Sequence, residues 1–415
     1  LRMDAETIAA GLLHDTLEDT ETKEEEIQKE FGDDILFLIQ GVTKLGTLKY
    51  RGQERHVESL RKFFIAMAND LRVVIIKFAD RLHNLRTLQF VREDKRARIA
   101  LESIQVYAPL ADRLGMGKLK GEIEDTAFPF AYPEEYKKVE ELMKNKREQY
   151  EKYLAEITTT LQKELDLNSI KAVEISYRLK HKYSLYQKLL RYDMDIDKIY
   201  DIVALRVIVN SIEECYRVLG LVHSLWNPLP GRIKDYIAVP KPNGYRSIHT
   251  TIFTGGGGIA EIQIRTEEMH AEAAYGIASH FTYKEHGSIK INDKKSKYKW
   301  IEELKELNLS PDEYIHELQS DFFETRIFAL TPKGDVIDLP YGASVLDFAY
   351  AVHSDIGDHA KGAIVNGVYR GIHTKVESEA VINVITGPKV KPTGKWLDHV
   401  VTSQARSKIQ RILKT

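Results

Sequence analysis

The chain has 415 residues, 43% of them hydrophobic and 29% charged, the profile of a globular protein with room for roughly two to four domains. Sixty Lys and Arg against 62 Asp and Glu leave a net charge of -2, which excludes a surface coated with nucleic-acid-binding charge but leaves local basic patches open. A single cysteine, Cys215, excludes an intrachain disulfide, and the apolar stretch Leu71–Ala79 is short and broken by Lys77, so a cytoplasmic protein with no membrane partner is expected.

The opening, with Arg2, Asp4 and Glu6 close behind Leu1, is not a signal peptide and reads as the middle of a helix, so a preceding segment is expected. Residues 1–130 carry apolar residues at helical spacing. Within them GLLHDTLEDTETKEEE reads as one helix in which His14 and Glu18, and Asp15 and Asp19, lie four apart and share a face. A later helix, VVIIKFADRLHNLRTL, puts Asp80, Asn84 and Thr87 on one face. A divalent metal that activates water takes His and carboxylate ligands and keeps a position open, so His14, Asp15 and Asp80 are the candidate ligands. Glu18 and Asp19 are placed to orient or deprotonate the water. For Glu24, Glu25 and Glu26 a solvated helix face suffices. The apolar setting of His14-Asp15 favours the metal instead, because a charged pair beside an apolar run needs a partner.

From Glu134 to about Leu165 a charged stretch without Gly or Pro predicts one long amphipathic helix joining two domains. Near Ile170 the pattern changes. KAVEISYR, DIVALRVIV, DYIAVP, HTTIF and AEIQIRT read as strands, HKYSLYQKLLRY and EECYRVLGLVHSLW as helices, and PNGYRS as a loop. Arg178 sits near a strand end, and Lys180, Ser184 and Lys188 follow at i, i+4 and i+8 of the next helix, a cradle for polyphosphate. Alone this is also what a solvated basic helix looks like. It gains weight from Asp201, which opens a strand, and from Glu261, Gln263 and Arg265, which alternate against Ile262 and Ile264. Phosphoryl-type transfer needs carboxylates for Mg²⁺ and a base, with cations for the phosphates. The loop KPNGYRSIHT adds Lys241, Asn243, Tyr245, Arg246 and His249; Tyr245 is either a base-stacking ring or a packing aromatic at a turn. Gly255–Gly258 has no helix behind it and is a hairpin turn, not a phosphate loop.

Residues 283–299 are polar and Lys-rich, a linker. RIFALTPKGDVIDLPYGASVLDFAYAVHSDIG, AIVNGVYRG and VINVIT then make a small α+β module, and after Gly387 the chain turns basic and helical.

The ordered set GLLHDTLEDT, VTKLG, FADRLHNLRT, YRLKHKYSLYQK, YDIVALRV, GRIKDYIAVPKPNGYRSIHT and EIQIRT, with the third module, resembles the RelA/SpoT family, which makes and degrades (p)ppGpp. The resemblance implies an all-α HD-type hydrolase domain over residues 1–130 and linking helices over 131–168. It implies an α/β nucleotidyltransferase-like synthetase domain over 169–290, a linker over 291–323, a β-grasp (TGS) domain over 324–387 and the start of a C-terminal helical region over 388–415. In the hydrolase, His14, Asp15 and Asp80 match Mn²⁺ ligands, Glu18 and Asp19 the catalytic acidic pair, and Asn84 and Thr87 the nucleotide pocket. The synthetase would transfer pyrophosphate from ATP to the 3′-hydroxyl of GDP or GTP and release AMP. There Asp201 matches the Mg²⁺-binding aspartate and Glu261 the residue that binds metal or deprotonates the 3′-hydroxyl. Arg178, Lys180, Ser184, Lys188 and Arg206 match the ATP side; Lys234, Lys241, Asn243, Tyr245 and His249 match the acceptor side, with Tyr245 stacking on guanine, and Gln263 is counted with the nucleotide-binding residues.

Arg232-Ile233-Lys234-Asp235 is the basic form of a family motif that goes with bifunctional members. In the third module His353 matches a contact to uncharged tRNA on the ribosome. The family's first metal-ligand His and a nearby Arg fall before Leu1, so a hydrolase short of one ligand is expected. A synthetase-only enzyme and a catalytically inert tRNA- or ribosome-binding regulator are the alternatives. Because the two reactions oppose each other, reciprocal control is expected, with the helix at Glu134–Leu165 carrying it.

Overall fold

Asp4 starts the first helix: its carboxylate accepts the Thr7 amide at 2.8 Å and caps α1, Ala5–Leu13. The computed structural model describes residues 3–46, 66, 70–199, 202–241, 243–254, 258–283, 326–377, 380–388 and 390–413. It divides into two compact units, Leu1–Glu306 and Leu307–Thr415. The linker expected at 283–299 falls almost wholly outside the described residues.

The helical part of the first unit continues with α2 (Thr16–Asp19), α3 (Glu24–Phe31), α4 (Asp33–Gly46) and α5 (Leu71–Arg86). Then come α6 (Glu93–Glu102), a π turn at Ser103–Tyr107, α7 (Ala108–Arg113), α8 (Gly117–Ala131) and the 35-residue α9 (Pro133–Leu167). Leu38, Ile39 and Val42 of α4, Val74, Ile75 and Phe78 of α5, and Ile123 of α8 form its buried centre. One expectation fails: GLLHDTLEDTETKEEE is three helices, not one. The chain turns at His14–Asp15, where the Thr16 hydroxyl donates to the Leu13 carbonyl at 2.7 Å, taking that acceptor from the helix ladder.

The mixed part carries a five-stranded sheet in the order β1-β2-β5-β4-β3. Its strands are β1 (Glu174–Leu179), β2 (Val203–Val209), β3 (Pro228–Asp235), β4 (Ile248–Phe253) and β5 (Ile259–Thr266). Only the β2–β5 pair is parallel. Helix α10 (Lys182–Arg191) follows β1, α11 (Ile212–Leu225) follows β2 and α12 (Glu267–Tyr275) follows β5. A Ser211/Glu214 capping box starts α11, and His223 meets Thr250 at 2.8 Å on the sheet's back. A second expectation fails here. DYIAVP is a turn and the strand is the preceding PLPGRIKD, because the Asp235 carboxylate accepts the amides of Ile237 and Ala238, both at 2.9 Å, and curls the chain.

The helical and mixed parts meet along a seam of glycines. A Cβ on Gly117 would lie 2.8 Å from the Ala273 carbonyl oxygen, and one on Gly115 3.1 Å from that of Asn243. Gly276, at φ +54°, leaves room for Leu114 and Gly115 only because it has no side chain.

In the second unit β6 (Arg326–Leu330) and β7 (Val336–Pro340) form a hairpin around Gly334. After α13 (Val345–Val352) and α14 (Ser354–Asp358), a three-stranded sheet takes the order β10-β8-β9: β8 (Ala360–Val365), β9 (Val368–Arg370) and β10 (Ile382–Thr386). The basic tail is helical as expected, with α15 at Ser403–Leu413. Its Val400, Ala405 and Ile409, with Trp396, share a core with Leu346, Ala349 and Tyr350. Asp347, fully buried, accepts the Ser344 amide and hydroxyl and the amides of Val401 and Thr402, tying the tail to the module.

Candidate functional site

The helix break brings the first cluster together. Freed from the helix, His14 donates Nδ1–H to the Gly11 carbonyl at 2.8 Å, which leaves Nε2 as a lone-pair nitrogen. That nitrogen faces Asp15 Oδ1 at 3.1 Å and Asp80 Oδ1 at 3.6 Å and is buried without a hydrogen-bond partner among the described residues. A lone pair aimed at two carboxylate oxygens is repulsive unless a cation lies between them, so these residues fit a divalent metal. Among the described residues, however, no group of three or more His, Cys, Asp or Glu is arranged to hold a metal ion, so His14, Asp15 and Asp80 lie close together without forming a ligand set. Burial acts to raise the pKa of Asp80, but the Lys77 ammonium at 2.7 Å, with Arg81, outweighs it and holds the carboxyl below its ordinary value. Asn84 donates to Asp80 Oδ1 at 2.6 Å, and Thr87 closes α5 as its C-cap. Glu18 and Asp19 are exposed on the following turn, and Glu24, Glu25 and Glu26 are solvated, as expected.

The second cluster follows from strand register. Arg178, Ala204, Glu261 and Thr251 pair in one row across β1, β2, β5 and β4. Ser176, Arg206, Gln263, His249 and Lys234 pair in the next row, two residues along on each strand and so on the same face. The back carries Leu205, Val207, Ile262 and Ile264, all buried. The alternation in EIQIRT is therefore real. Its polar side is covered rather than solvated: Gln263 is 2% and Arg265 3% exposed.

Over these rows lies a cleft of about 240 Å³ lined by Arg178, Lys180, Lys188, Lys234, Lys241, His249, Glu261 and Gln263 among the expected residues. Tyr192, Lys198, Arg232, Tyr236 and Thr251 also line it and were not expected there. Arg232 and Lys234 alternate on β3, a signal available in the sequence. Tyr192 and Lys198 flank a turn with Asp193 and Met194 at positive φ, where no periodicity points. Glu261 Oε1 accepts Gln263 Nε2 at 2.7 Å and lies 3.3 Å from His249 Nδ1, while Gln263 Oε1 accepts Arg178 Nη1 at 3.4 Å. His249 Nε2 meets the Tyr245 hydroxyl at 2.8 Å. Burial lowers the His249 pKa, against the pull of Glu261. Burial likewise lowers that of Lys241, whose ammonium lies 4.7 Å from the Tyr236 ring centre.

Several expected residues stand elsewhere. Lys180 lies ahead of α10, not in it, and its amide extends the sheet to Ile202. Ser184 turns away from the cleft and donates to Glu124 Oε2 of α8 at 3.2 Å. Asn243 donates to the Asp112 carbonyl at 3.3 Å. Tyr245 packs edge to face with Tyr236 and His249. Arg206 lies near Arg178 and Arg265, its pKa lowered by burial and by the Arg178 charge. Burial and these two guanidiniums lower Arg265 to about 10, and burial with Arg265 and Arg206 lowers His270 to about 4. Asp201 lies outside the described residues. In the second unit His353 is exposed and caps α14 by accepting the Asp355 amide at 3.2 Å.

Three family models match the chain: an HD domain at residues 1–117, the region found in RelA / SpoT proteins at 177–288, and a TGS domain at 327–386. Over its whole length the chain is 45% identical to a guanosine-3′,5′-bis(diphosphate) 3′-pyrophosphohydrolase of Aquifex aeolicus, covering 59% of that protein. It is 43% identical to the bifunctional (p)ppGpp synthase/hydrolase SpoT of Escherichia coli, covering 59%, and 42% identical to a GTP pyrophosphokinase of Myxococcus xanthus, covering 55%. It thus spans less than two thirds of the length of these relatives. Its HD and nucleotidyltransferase-like domains imply the use of divalent metal ions. No helix among the described residues is long and apolar enough to cross a membrane. With these three domains in this order, and with relatives this similar along its full length, the chain belongs to the RelA/SpoT family.

Proposed function

We propose that the chain is a bifunctional, cytoplasmic alarmone enzyme that makes (p)ppGpp from ATP and GDP or GTP and removes its 3′-pyrophosphate. The observation that carries the synthetase reading is the cleft in which, among the described residues, one carboxylate, Glu261, stands among Arg178, Lys180, Lys188, Lys198, Arg232, Lys234 and Lys241. Such a cleft suits a polyphosphate donor and a single proton acceptor. In the proposed reaction Glu261 takes the proton of the 3′-hydroxyl, whose oxygen bonds to the β-phosphorus of ATP. The β-phosphorus bond to the α-phosphate oxygen breaks and AMP leaves. Arg178, Lys180 and Lys188 hold the donor phosphates; Lys234 and Lys241 hold the acceptor, and Tyr245 offers its ring to the guanine. Mg²⁺, held by Glu261 with Asp201, would neutralise charge on the transferring group.

For hydrolysis, His14, Asp15 and Asp80 would hold Mn²⁺, which lowers the pKa of bound water. Glu18 and Asp19 orient the water, and Asn84 and Thr87 meet the nucleotide. The TGS module is proposed to engage uncharged tRNA on the ribosome through His353. Reciprocal control is proposed to run through α8 as well as α9. Helix α8 reaches back to Arg86 of α5 through Glu122 at 2.8 Å, and forward to His181 through Asp125 at 2.8 Å.

Incubation with ATP, GDP and Mg²⁺ tests synthesis: AMP and ppGpp appear together if the reading holds, and absence of AMP ends it. Incubation of ppGpp with Mn²⁺ tests hydrolysis through release of pyrophosphate.

A further inference from the structure

We propose that His249 is a positioning residue for Glu261, its proton held on Nδ1 by that carboxylate and its Nε2 anchored by the Tyr245 hydroxyl. The proposal rests on Glu261 being the proton acceptor, and it gives His249 a different task from binding the acceptor nucleotide.

The argument runs through donors and acceptors. A carboxylate oxygen only accepts, so the 3.3 Å approach of His249 Nδ1 to Glu261 Oε1 is favourable when Nδ1 bears hydrogen. In a neutral ring Nε2 then holds the lone pair, and the Tyr245 hydroxyl, 2.8 Å away, donates to it. Both ring nitrogens are thereby engaged. The ring also sits edge to face against Tyr236 at 5.3 Å and Tyr245 at 5.7 Å, so it cannot turn to reach a nucleotide without giving up both bonds.

On the other side Gln263 Nε2 donates to the same Oε1 at 2.7 Å. The Gln263 amide is itself oriented by Arg178 Nη1 on its carbonyl oxygen at 3.4 Å. Two side chains from neighbouring strands thus grip one carboxylate oxygen and fix the plane of the group. A proton acceptor held to within a fraction of an ångström works far better than one free to rotate. The chain Tyr245–His249–Glu261–Gln263–Arg178 also runs from the acceptor loop to the donor-side arginine without a break.

Asparagine places an amide N–H near Nδ1 of the histidine it replaces, whereas glutamine reaches only toward Nε2. His249→Asn is therefore expected to keep kcat for AMP release within about tenfold of the wild type, and His249→Gln to lower it about 100-fold. The KM for ATP and GDP should change less than about threefold in both. A raised KM for GDP with kcat retained, or equal damage from both variants, overturns the proposal in favour of a nucleotide contact. A second readout does not depend on turnover. In ¹⁵N-histidine spectra of the full chain, the resonances lost in His249→Asn should show the Nδ1–H tautomer in the wild type. Tyr245→Phe removes the donor to Nε2 but leaves Glu261 accepting from Nδ1–H, so it should shift the Nε2 resonance and keep the tautomer. An Nε2–H tautomer in the wild type, or an unmoved Nε2 resonance with Tyr245→Phe, overturns the proposal. If the wild-type chain makes no AMP, the synthetase reading fails, while these spectra still decide the tautomer.

Discussion

Ser184 stands on the same helix as the cleft-lining Lys188, yet its hydroxyl points to Glu124, 3.2 Å away on α8. Burial raises the Glu124 pKa, against Lys120 and the Ser184 bond, so this contact helps satisfy a carboxyl with little access to water. Ser184→Ala is expected to cost about 1 kcal/mol of stability, with the KM for ATP within about threefold of the wild type. Lys188→Ala should leave stability unchanged within about 0.5 kcal/mol and raise the KM for ATP at least about tenfold. Melting curves beside Michaelis plots check both; a large KM effect from Ser184→Ala would return the hydroxyl to the ATP site.

Glu261→Gln removes the proton acceptor but keeps the volume. AMP release should fall by at least about 1,000-fold, with ATP still bound in a calorimetric titration. Residual turnover near the wild-type rate would move the role of base to another group.

For the helical cluster, Asp80→Asn should weaken Mn²⁺ binding by about 10- to 100-fold, read by electron paramagnetic resonance of free Mn²⁺. His14→Gln should do the same, because it removes the lone pair that faces both carboxylates. Unchanged affinity in both variants would place the metal elsewhere.

His270 gives a pH signature. Its pKa is pushed down to about 4 by burial and by Arg265 and Arg206, below the ordinary value of 6.5. Between pH 6.5 and 4 the unfolded chain binds a proton at this residue that the folded chain refuses, so stability falls as pH falls through that window. The contribution is at most about 3 kcal/mol, reduced by partial solvent access. Urea unfolding of the wild type and His270→Gln at pH 7 and pH 4.5 measures it: the gap between the two proteins should shift in favour of the variant at the lower pH.

In the second unit, Asp347→Ala removes the acceptor for the amides of Val401 and Thr402. Hydrogen exchange of the full chain should then show α15 losing protection while β8 and β10 keep theirs. Uniform loss across the module would mean instead that Asp347 holds the whole fold.

Much of this was legible in the sequence. Four of the five strands are legible in alternation and β-branched runs, and register then fixes which side chains share the cleft face, so Arg178, Glu261 and Gln263 come together from pattern, while His249 enters through the loop that carries it. What escaped depended on bonds that leave no period. The turn at Asp235 and the helix break at His14 come from single side chains competing for backbone groups. The direction of Ser184 is set by a partner 60 positions away. Tyr192 and Lys198 reach the cleft from irregular chain.

The glycine seam bears on heredity. Because Gly117 and Gly276 let two backbones approach where a side chain would collide, and Gly115 where one would fit only tightly, a substitution on this line would press on both the helical and the mixed part. A chimaera joining one relative's helical half to another's synthetase half would need Gly115, Gly117 and Gly276 together with the carbonyls they face.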